Sequence, residues 1–427
     1  MADEHILQLK NQYSEDDSIR SYEVHEYQPI TGTQLNKPGE IRITVEAQDE
    51  FFHPHESYLL VEGNLVKDAD GSAYVATDVV TLTNNAIMYL FSNIKYELSG
   101  HEIESINYPG QATSMLGLLK YSDDFSRSQG LNQCWFKDTD AAASLTANKG
   151  FKVRQGYIII SPDPKGSFSF IIPLKHIFGF CEDYDKVIYG LKQMITLVRT
   201  SDDDAIFRVA APGAGKVVLD KISWFLARVL PNDTEKFSLF KMIEKKPLID
   251  VGYRMRQCDT ITVPQSTSFT WRLSVKSSPE RTSYVIIGFQ SDKSGNQLNN
   301  PAIFDNCNIK NMYIMLNSTR YPAMDFNANF TKNQLSRFYK EVINFIPNYY
   351  GMDGQSNMDP LDYKTLFPLF VFNVSKQSER MKGGSTDITV KMEFNANVVA
   401  NTQAFALVIS DRLLKFQSDG SKMNVVL

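Results

Sequence analysis

The feature that most constrains the fold of this sequence is an order of elements that occurs twice. In each half, a strand-like segment is followed by a Tyr-Pro pair, a helical segment and a Phe-rich strand interrupted by Pro-Leu. Tyr108-Pro109 corresponds to Tyr321-Pro322, and Pro173-Leu174 corresponds to Pro368-Leu369, so that each motif is separated from its counterpart by close to half the chain. This order predicts a duplicated unit. A chance order among many strands is the alternative.

Short β-rich segments lie between these motifs. Residues 41–45, 269–275 and 388–394 alternate apolar with polar side chains, which is typical of strands with one buried face. Tyr284 to Phe289 is a nearly continuous apolar run and predicts a further strand. Phe and Tyr are abundant, and aromatic residues make up 12% of the chain, which favours extensive sheets with broad packed faces.

Two helices and one further strand are predicted in the connecting segments. The first helix follows Tyr108-Pro109, where apolar residues between 115 and 119 have helical spacing. The second has Thr331 as its N-cap, carries apolar residues on one face and ends at Pro347. Gly156 to Ile160 is predicted to be a short strand within a long polar segment.

Each half therefore holds many strands and few helices, and the apolar faces of such strands must be covered by closure or by stacking of two sheets. Two tandem jelly-roll β-sandwiches, an all-β fold with few helices, meet this need. Pro173 and Pro368 are expected at an edge or a bulge. The predicted units are an N-terminal arm (1–20), a first jelly roll (21–210), a second jelly roll that begins at the small-residue segment 211–215 (211–416) and a C-terminal tail (417–427).

Composition excludes several classes of protein. The 427 residues are 43% hydrophobic and 22% charged, which predicts a folded rather than a disordered chain. The net charge is -5 without a run of Lys or Arg at either end, so strong direct binding to nucleic acid is not expected. Four widely spaced cysteines predict buried thiols in a reducing compartment. We expect neither a signal peptide nor a membrane span, because no long apolar run occurs.

Two motifs could bind ligands, but each has a simpler interpretation. Gly213-Ala-Gly215-Lys216 is similar to a phosphate loop, yet Ala210 and Val217 stand where that loop needs Gly and Ser or Thr. A hinge is therefore the favoured interpretation. Asp202-Asp203-Asp204 lacks the spaced ligands of a calcium loop and is predicted to be a charged loop tip.

The histidines and tryptophans also favour structural roles. His53-Pro54-His55 has Glu50 and Glu56 nearby, but without a second ligand cluster it is predicted to be a solvated turn. His176 lies in an apolar run and is predicted to be a hydrogen-bonded core residue. We assign no catalytic, cofactor-binding or metal-binding residue and expect no enzymatic activity. A sugar platform is the alternative to core or interface packing for three residues, Trp135, Trp224 and Trp271.

Two segments give the chain a resemblance to a known family. They are Gly100–Ile106 with Tyr108-Pro109-Gly110, and Ile172-Pro-Leu-Lys-His-Ile-Phe-Gly-Phe180 through Arg199. With the two-half β plan, these segments resemble the double jelly-roll major capsid proteins of the adenovirus and tectivirus lineage. The versions in Polinton/Maverick elements, adintoviruses and related small eukaryotic DNA viruses are the most similar.

The resemblance implies a structural protein of the virion, assembled inside the host cell. It implies a homotrimer that forms a pseudo-hexagonal capsomer, contacts neighbouring capsomers, penton and minor capsid proteins, and tiles an icosahedral shell. An internal membrane or a core protein beneath the shell is compatible with the resemblance. Residues 121–165 and 231–258 would then be outward loops and subunit contacts. The alternative is a β-sandwich protein that binds a carbohydrate or a partner without catalysis.

Overall fold

The described part of the structure, a computed structural model, covers residues 18–46, 50–158, 166–275, 281–352, 358–377, 386–418 and 423–426. Within these ranges the strands form antiparallel sheets. Strands from the first half of the chain pair with one another, and strands from the second half do the same. The sheets therefore form two separate sets.

The sheets of the first half are built from strands between Ile19 and Pro231. They are β1 (Ile19–Tyr27), β2 (Gly39–Val45), β3 (Phe51–Lys67), β4 (Val80–Leu82), β5 (Phe91–Leu98), β6 (His101–Asn107), β7 (Ser167–Pro173), β8 (Ile188–Tyr189), β9 (Gln193–Arg199), β10 (Ile206–Arg208) and β11 (Gly215–Pro231). In β2, Ile41, Ile43 and Val45 are buried, which confirms the strand predicted there.

Eight of these strands have jelly-roll connectivity. One sheet has the order β1-β11-β3-β7, with β8 beside β3, and the other has the order β2-β9-β5-β6. Counted along the chain, these orders are 1-8-3-6 and 2-7-4-5, the connectivity of an eight-stranded jelly roll. The two sheets pack face to face, since the rings of Tyr96 on β5 and Trp224 on β11 meet edge-on with centroids 6.2 Å apart.

The strands of the second half begin at Leu248. They are β12 (Leu248–Thr262), β13 (Ser268–Arg272), β14 (Arg281–Ser291), β15 (Ile309–Leu316), β16 (Thr319–Tyr321), β17 (Leu369–Asn373), β18 (Ile388–Phe394), β19 (Thr402–Ser418) and β20 (Met423–Val426). Residues 282–290 of β14 are all buried, because both faces of this strand are covered, as its apolar run indicates.

Helices occupy the connections between strands. They are α1 (Ala86–Tyr89), α2 (Pro109–Lys120), α3 (Asp123–Phe125), α4 (Lys149–Ile158), α5 (Leu174–Ile177), α6 (Gly179–Asp183), α7 (Asp233–Glu244), α8 (Ser336–Ile343), α9 (Phe345–Tyr350) and α10 (Pro360–Thr365). The helix predicted after Tyr108-Pro109 is confirmed as α2.

The second half repeats the connectivity of the first. Its sheets have the orders β12-β19-β14-β17, with β20 beside β19, and β13-β18-β15-β16. These are again 1-8-3-6 and 2-7-4-5 along the chain. Phe289 on β14 and Phe394 on β18 join the two sheets, with ring centroids 5.8 Å apart. The predicted fold, two tandem jelly rolls, is therefore confirmed.

The predicted limits of the two units need correction. The segment 211–215 is a turn that leads into β11, and β11 pairs with β1 and β3 of the first half. The boundary predicted at residue 211 is therefore one strand too early. At the other end, the predicted tail 417–427 contains β20, which pairs with β19. Residues 231–258 hold α7 and most of β12 rather than a long loop.

The two Tyr-Pro motifs occupy equivalent places in the two jelly rolls. Tyr108-Pro109 follows β6 and opens α2, while Tyr321 ends β16 and precedes Pro322. The Pro-Leu motifs both lie at the edge strands β7 and β17, as predicted, but at opposite ends. Pro173 ends β7, whereas Pro368 precedes β17. The repeat is therefore one of elements, without residue-by-residue correspondence.

Two local predictions are wrong. Leu335, rather than Thr331, is the N-cap of α8, and Pro347 lies in the first turn of α9, where a proline is accepted. Residues 156–158 belong to α4 instead of a strand, and 159–160 lie outside the described residues. Buried positions along α4 follow helical spacing, but two of the five are polar side chains that hide the pattern. The five are Gly150, Phe151, Arg154, Gln155 and Ile158.

Candidate functional site

The two sandwiches meet where β6 and α6 of the first half lie against β12 of the second half. The approach is close enough to require glycine at the start of α6. A Cβ atom at Gly179 would lie 1.7 Å from the carbonyl oxygen of Arg254, which belongs to the backbone of β12. The two backbones are therefore in direct contact at this point.

Glu104 on β6 is a buried carboxylate that joins three elements. It accepts hydrogen bonds from the backbone N–H groups of Gly179 (3.1 Å) and Phe180 (3.1 Å) on α6, and of Arg256 (2.8 Å) on β12. Burial raises the pKa of Glu104 to about 7, despite the nearby Arg256 cation and these donors. This side chain links the first sandwich directly to the second.

Arg256 forms the centre of a buried ion cluster. Its guanidinium donates to the carbonyl oxygens of His176 (3.2 Å) and Ile177 (2.9 Å) and pairs with Glu182. Glu182 also pairs with Lys120 at the end of α2. Burial alone would raise the pKa of Glu182, but the two cations lower it to about 2. The cluster is thus charged, with two cations that share one carboxylate.

Arg254 adds a second ion pair on the same strand. Its backbone N–H and side-chain Nε donate to Asp183 Oδ2 at 2.8 Å and 2.9 Å. Its Nη1 donates to the carbonyl oxygen of Tyr349 at 2.8 Å, and the guanidinium stacks 4.0 Å from the centre of the Tyr349 ring. Strand β12 is therefore fixed both to α6 of the first sandwich and to α9 of its own.

A second polar contact joins the sandwiches through residues 292–304, between β14 and β15. Asn300 donates to Asp138 (2.8 Å), which also pairs with the buried Arg154. Gln297 accepts from the backbone N–H of Gly215 (2.9 Å) and donates to its carbonyl oxygen (2.8 Å). These two contacts, with the one at Glu104, define the junction between the two sandwiches.

Burial shifts the pKa values of His176 and of two cysteines. His176 Nδ1 lies 2.8 Å from Gln133 Oε1, and burial lowers the pKa of His176 to about 3. The predicted hydrogen bond of this histidine is confirmed. Burial raises the pKa values of Cys134 to about 11 and of Cys307 to about 12, so these thiols are poor nucleophiles.

The motifs considered as ligand sites lie apart from one another. Lys216, the last residue of the motif that is similar to a phosphate loop, is on β11. Its Nζ lies 3.7 Å from Asp68 Oδ1. Residues 53–55 are part of β3, so the turn predicted there is wrong. Residues 202–204 are half-buried, and all three carboxylates accept hydrogen bonds, two of them from the second half. The described residues contain no group of three or more His, Cys, Asp or Glu that could hold a metal ion.

The three tryptophans lie in the interior, with exposed fractions of 3%, 0% and 2% for Trp135, Trp224 and Trp271. Their predicted packing role is confirmed, and they form no exposed sugar platform. Among the described helices, none has the length and apolar character needed to cross a bilayer.

The residues of the junction were not singled out by sequence reasoning, although the segments that hold them were. Gly100–Ile106 and Ile172–Phe180 carry the family resemblance, and the structure joins them through Glu104. The available signal was a carboxylate between two isoleucines in a strand, Ile103 and Ile106, which are both buried. Arg254 and Arg256, two residues apart on β12, gave no comparable signal.

The connectivity and the close junction define a double jelly-roll protein. A family model described as the double jelly roll-like domain matches residues 80–414, which is most of the chain. The chain belongs to this family. A comparison with curated protein sequences finds no match.

Solved structures with the same fold come from several viruses. The chain is similar to a chain in the structure of the Sputnik virophage (TM-score 0.63, 11% identity, 99% of this chain and 92% of that one). It is similar to the mavirus major capsid protein (0.58, 11%, 98% and 92%) and the Faustovirus major capsid protein (0.55, 9%, 96% and 92%). At these identities the similarity establishes the fold.

Proposed function

We propose that this protein is a major capsid protein of a virus or of a virus-derived element. The observation that carries the proposal is the presence of two sandwiches with the same connectivity in one chain, held together by a buried junction. Two of the structures with this fold are described as major capsid proteins. The residues at the junction favour a structural role, since each forms contacts within the fold.

In this proposal three copies assemble into one capsomer. Each copy supplies two similar units, the first spanning residues 18–231 and the second beginning at Leu248, so a trimer presents six units around its axis. Six similar units approximate a hexagon, and hexagons can tile the faces of an icosahedral shell. Neighbouring capsomers are then the main partners, with penton and minor capsid proteins at vertices and edges. An internal membrane or a core protein would lie beneath.

The mass of the purified protein in solution tests this proposal. Light scattering after size-exclusion chromatography should give about three times the 48.5 kDa of one chain. Negative-stain images should show particles with a hexagonal outline and threefold symmetry. A stable monomer across micromolar concentrations, with no larger particles in the images, would contradict the proposed capsomer.

A further inference from the structure

A groove of about 580 Å³ lies beside the linker helix α7, between the sandwiches. Its volume falls within the range of roughly 300–1,000 Å³ that is typical of ligand pockets. The ring centroids of Phe51 and Tyr189 are 4.7 Å apart, and those of Tyr189 and Phe240 are 5.5 Å apart. Apolar side chains from both sandwiches and from α7 line it, including Phe51, Ile188, Tyr189, Leu239, Ile243 and Phe416.

Large apolar side chains around this groove are exposed. Ile19 and Met242, which line it, are 50% and 43% exposed, and Phe237 on α7 is 62% exposed. Leu248, next to the lining residue Ile249, is 50% exposed. Exposed apolar side chains that line a groove indicate a surface that is covered by a binding partner.

The chain itself supplies a segment at the rim of the groove. The backbone N–H of Asn232, the N-cap of α7, donates to the carbonyl oxygen of Ser18 at 2.9 Å, and Ile19 lines the groove. Residues 1–17 lie outside the described residues, and they join the fold at this point. They include three apolar residues close together, Ile6, Leu7 and Leu9.

The reach and the charge of this segment fit the groove. Ser18 lies nine positions after Leu9, and an extended chain of that length spans about 30 Å. The segment is acidic, with Asp3, Glu4 and residues 15–17. The end of α7 has the opposite charge, because three exposed lysines there outnumber the exposed carboxylate of Glu244. The lysines are Lys241, Lys245 and Lys246.

We propose that Ile6, Leu7 and Leu9 bind in the groove of their own chain and cover its apolar surface. Own-chain binding is favoured because a short tether gives an effective concentration on the order of millimolar. This inference concerns the single chain, so it does not depend on the proposed capsid function or on the number of copies in the oligomer.

Hydrogen exchange of the full-length protein tests the inference. The variant I6D/L7D/L9D should accelerate amide exchange in α7 and around β8 by about tenfold or more, since loss of one buried leucine-sized side chain is enough for that change. The matched control Q8D/N11D/Q12D adds the same charge to the same segment and should leave exchange unchanged. Equal exchange in both variants and the wild type would overturn the inference.

A photo-crosslink identifies the chain that supplies the segment. Benzoylphenylalanine at position 7, in a mixture of isotope-labelled and unlabelled protein, should crosslink to groove residues within one chain. Crosslinks only between labelled and unlabelled chains would assign the groove to the segment of a second copy and overturn own-chain binding. A different outcome is that the groove amides are protected from exchange when phosphatidylcholine vesicles are added and not in the free protein. In that case the occupant of the groove is a lipid surface, and the inference fails.

Discussion

Individual residues at the junction are constrained by the close approach of two backbones. Gly179 has no room for a side chain because the carbonyl oxygen of Arg254 occupies the Cβ position. That oxygen belongs to a strand that is paired along its whole length, so it cannot move away without disturbing the sheet. Gly179 is therefore required for a packing reason.

We expect Gly179→Ala to lower the free energy of unfolding by about 1–3 kcal/mol or more, the usual cost of overpacking. Chemical denaturation monitored by tryptophan fluorescence measures this change. Gly156→Ala, on α4 where the added carbon meets open space, is the control and should be neutral or slightly stabilising. If both variants have the stability of the wild type, the two backbones are not in direct contact.

The pH dependence of stability should depend on Glu104. Its pKa is raised to about 7 in the folded state, above the ordinary value of 4.5, so the folded protein holds this proton more tightly than the unfolded chain. The contribution is stabilising below about pH 4.5 and is lost as the pH rises to about 7. Glu104→Gln should remove this part of the slope when Tm is measured from pH 4.5 to 7.5. His176, with a lowered pKa, acts in the opposite direction and remains in both proteins. Identical slopes would contradict a raised pKa.

At the scale of elements, strand β12 is the component that joins the two halves. Arg256→Ala removes one of the two cations beside the largely buried Glu182 and the donor to the carbonyl oxygens of His176 and Ile177, so it should cost about 3–5 kcal/mol of unfolding free energy. The control is Arg272→Ala on β13, which removes an exposed ion pair with Asp387 and should cost about 0–1 kcal/mol. Equal losses in the two variants, measured by urea denaturation, would show that the Arg256 cluster does not stabilise the junction.

Elements with regular alternation were predictable from the sequence, while contacts between distant segments were not. The alternation in β2 and the apolar run in β14 follow from which faces are covered. Helix α4 was missed because Arg154 and Gln155 are buried through hydrogen bonds and ion pairing. Glu104 contacts backbone groups that lie 75 and 152 positions away along the chain, and no local sequence pattern indicates a contact at such a separation.

For the whole molecule, the junction predicts that both sandwiches unfold together. Buried contacts at Glu104 and Asn300 couple the two halves, and scanning calorimetry of the wild type should give a single transition. Arg256→Ala combined with Asn300→Ala removes contacts at two separate places and should divide the profile into two transitions. Two transitions already present in the wild type would mean that the halves are independent.

Each half has one long connection, and in both halves it joins the fifth strand of the jelly roll to the sixth. One runs from β6 to β7 and the other from β16 to β17, and together they contain α2–α4 and α8–α10. The described residues of these connections belong to none of the sheets, so we expect insertions and deletions there to leave the strand pairing intact. Related chains can therefore change the length and chemistry of these two connections while the framework of paired strands keeps its geometry.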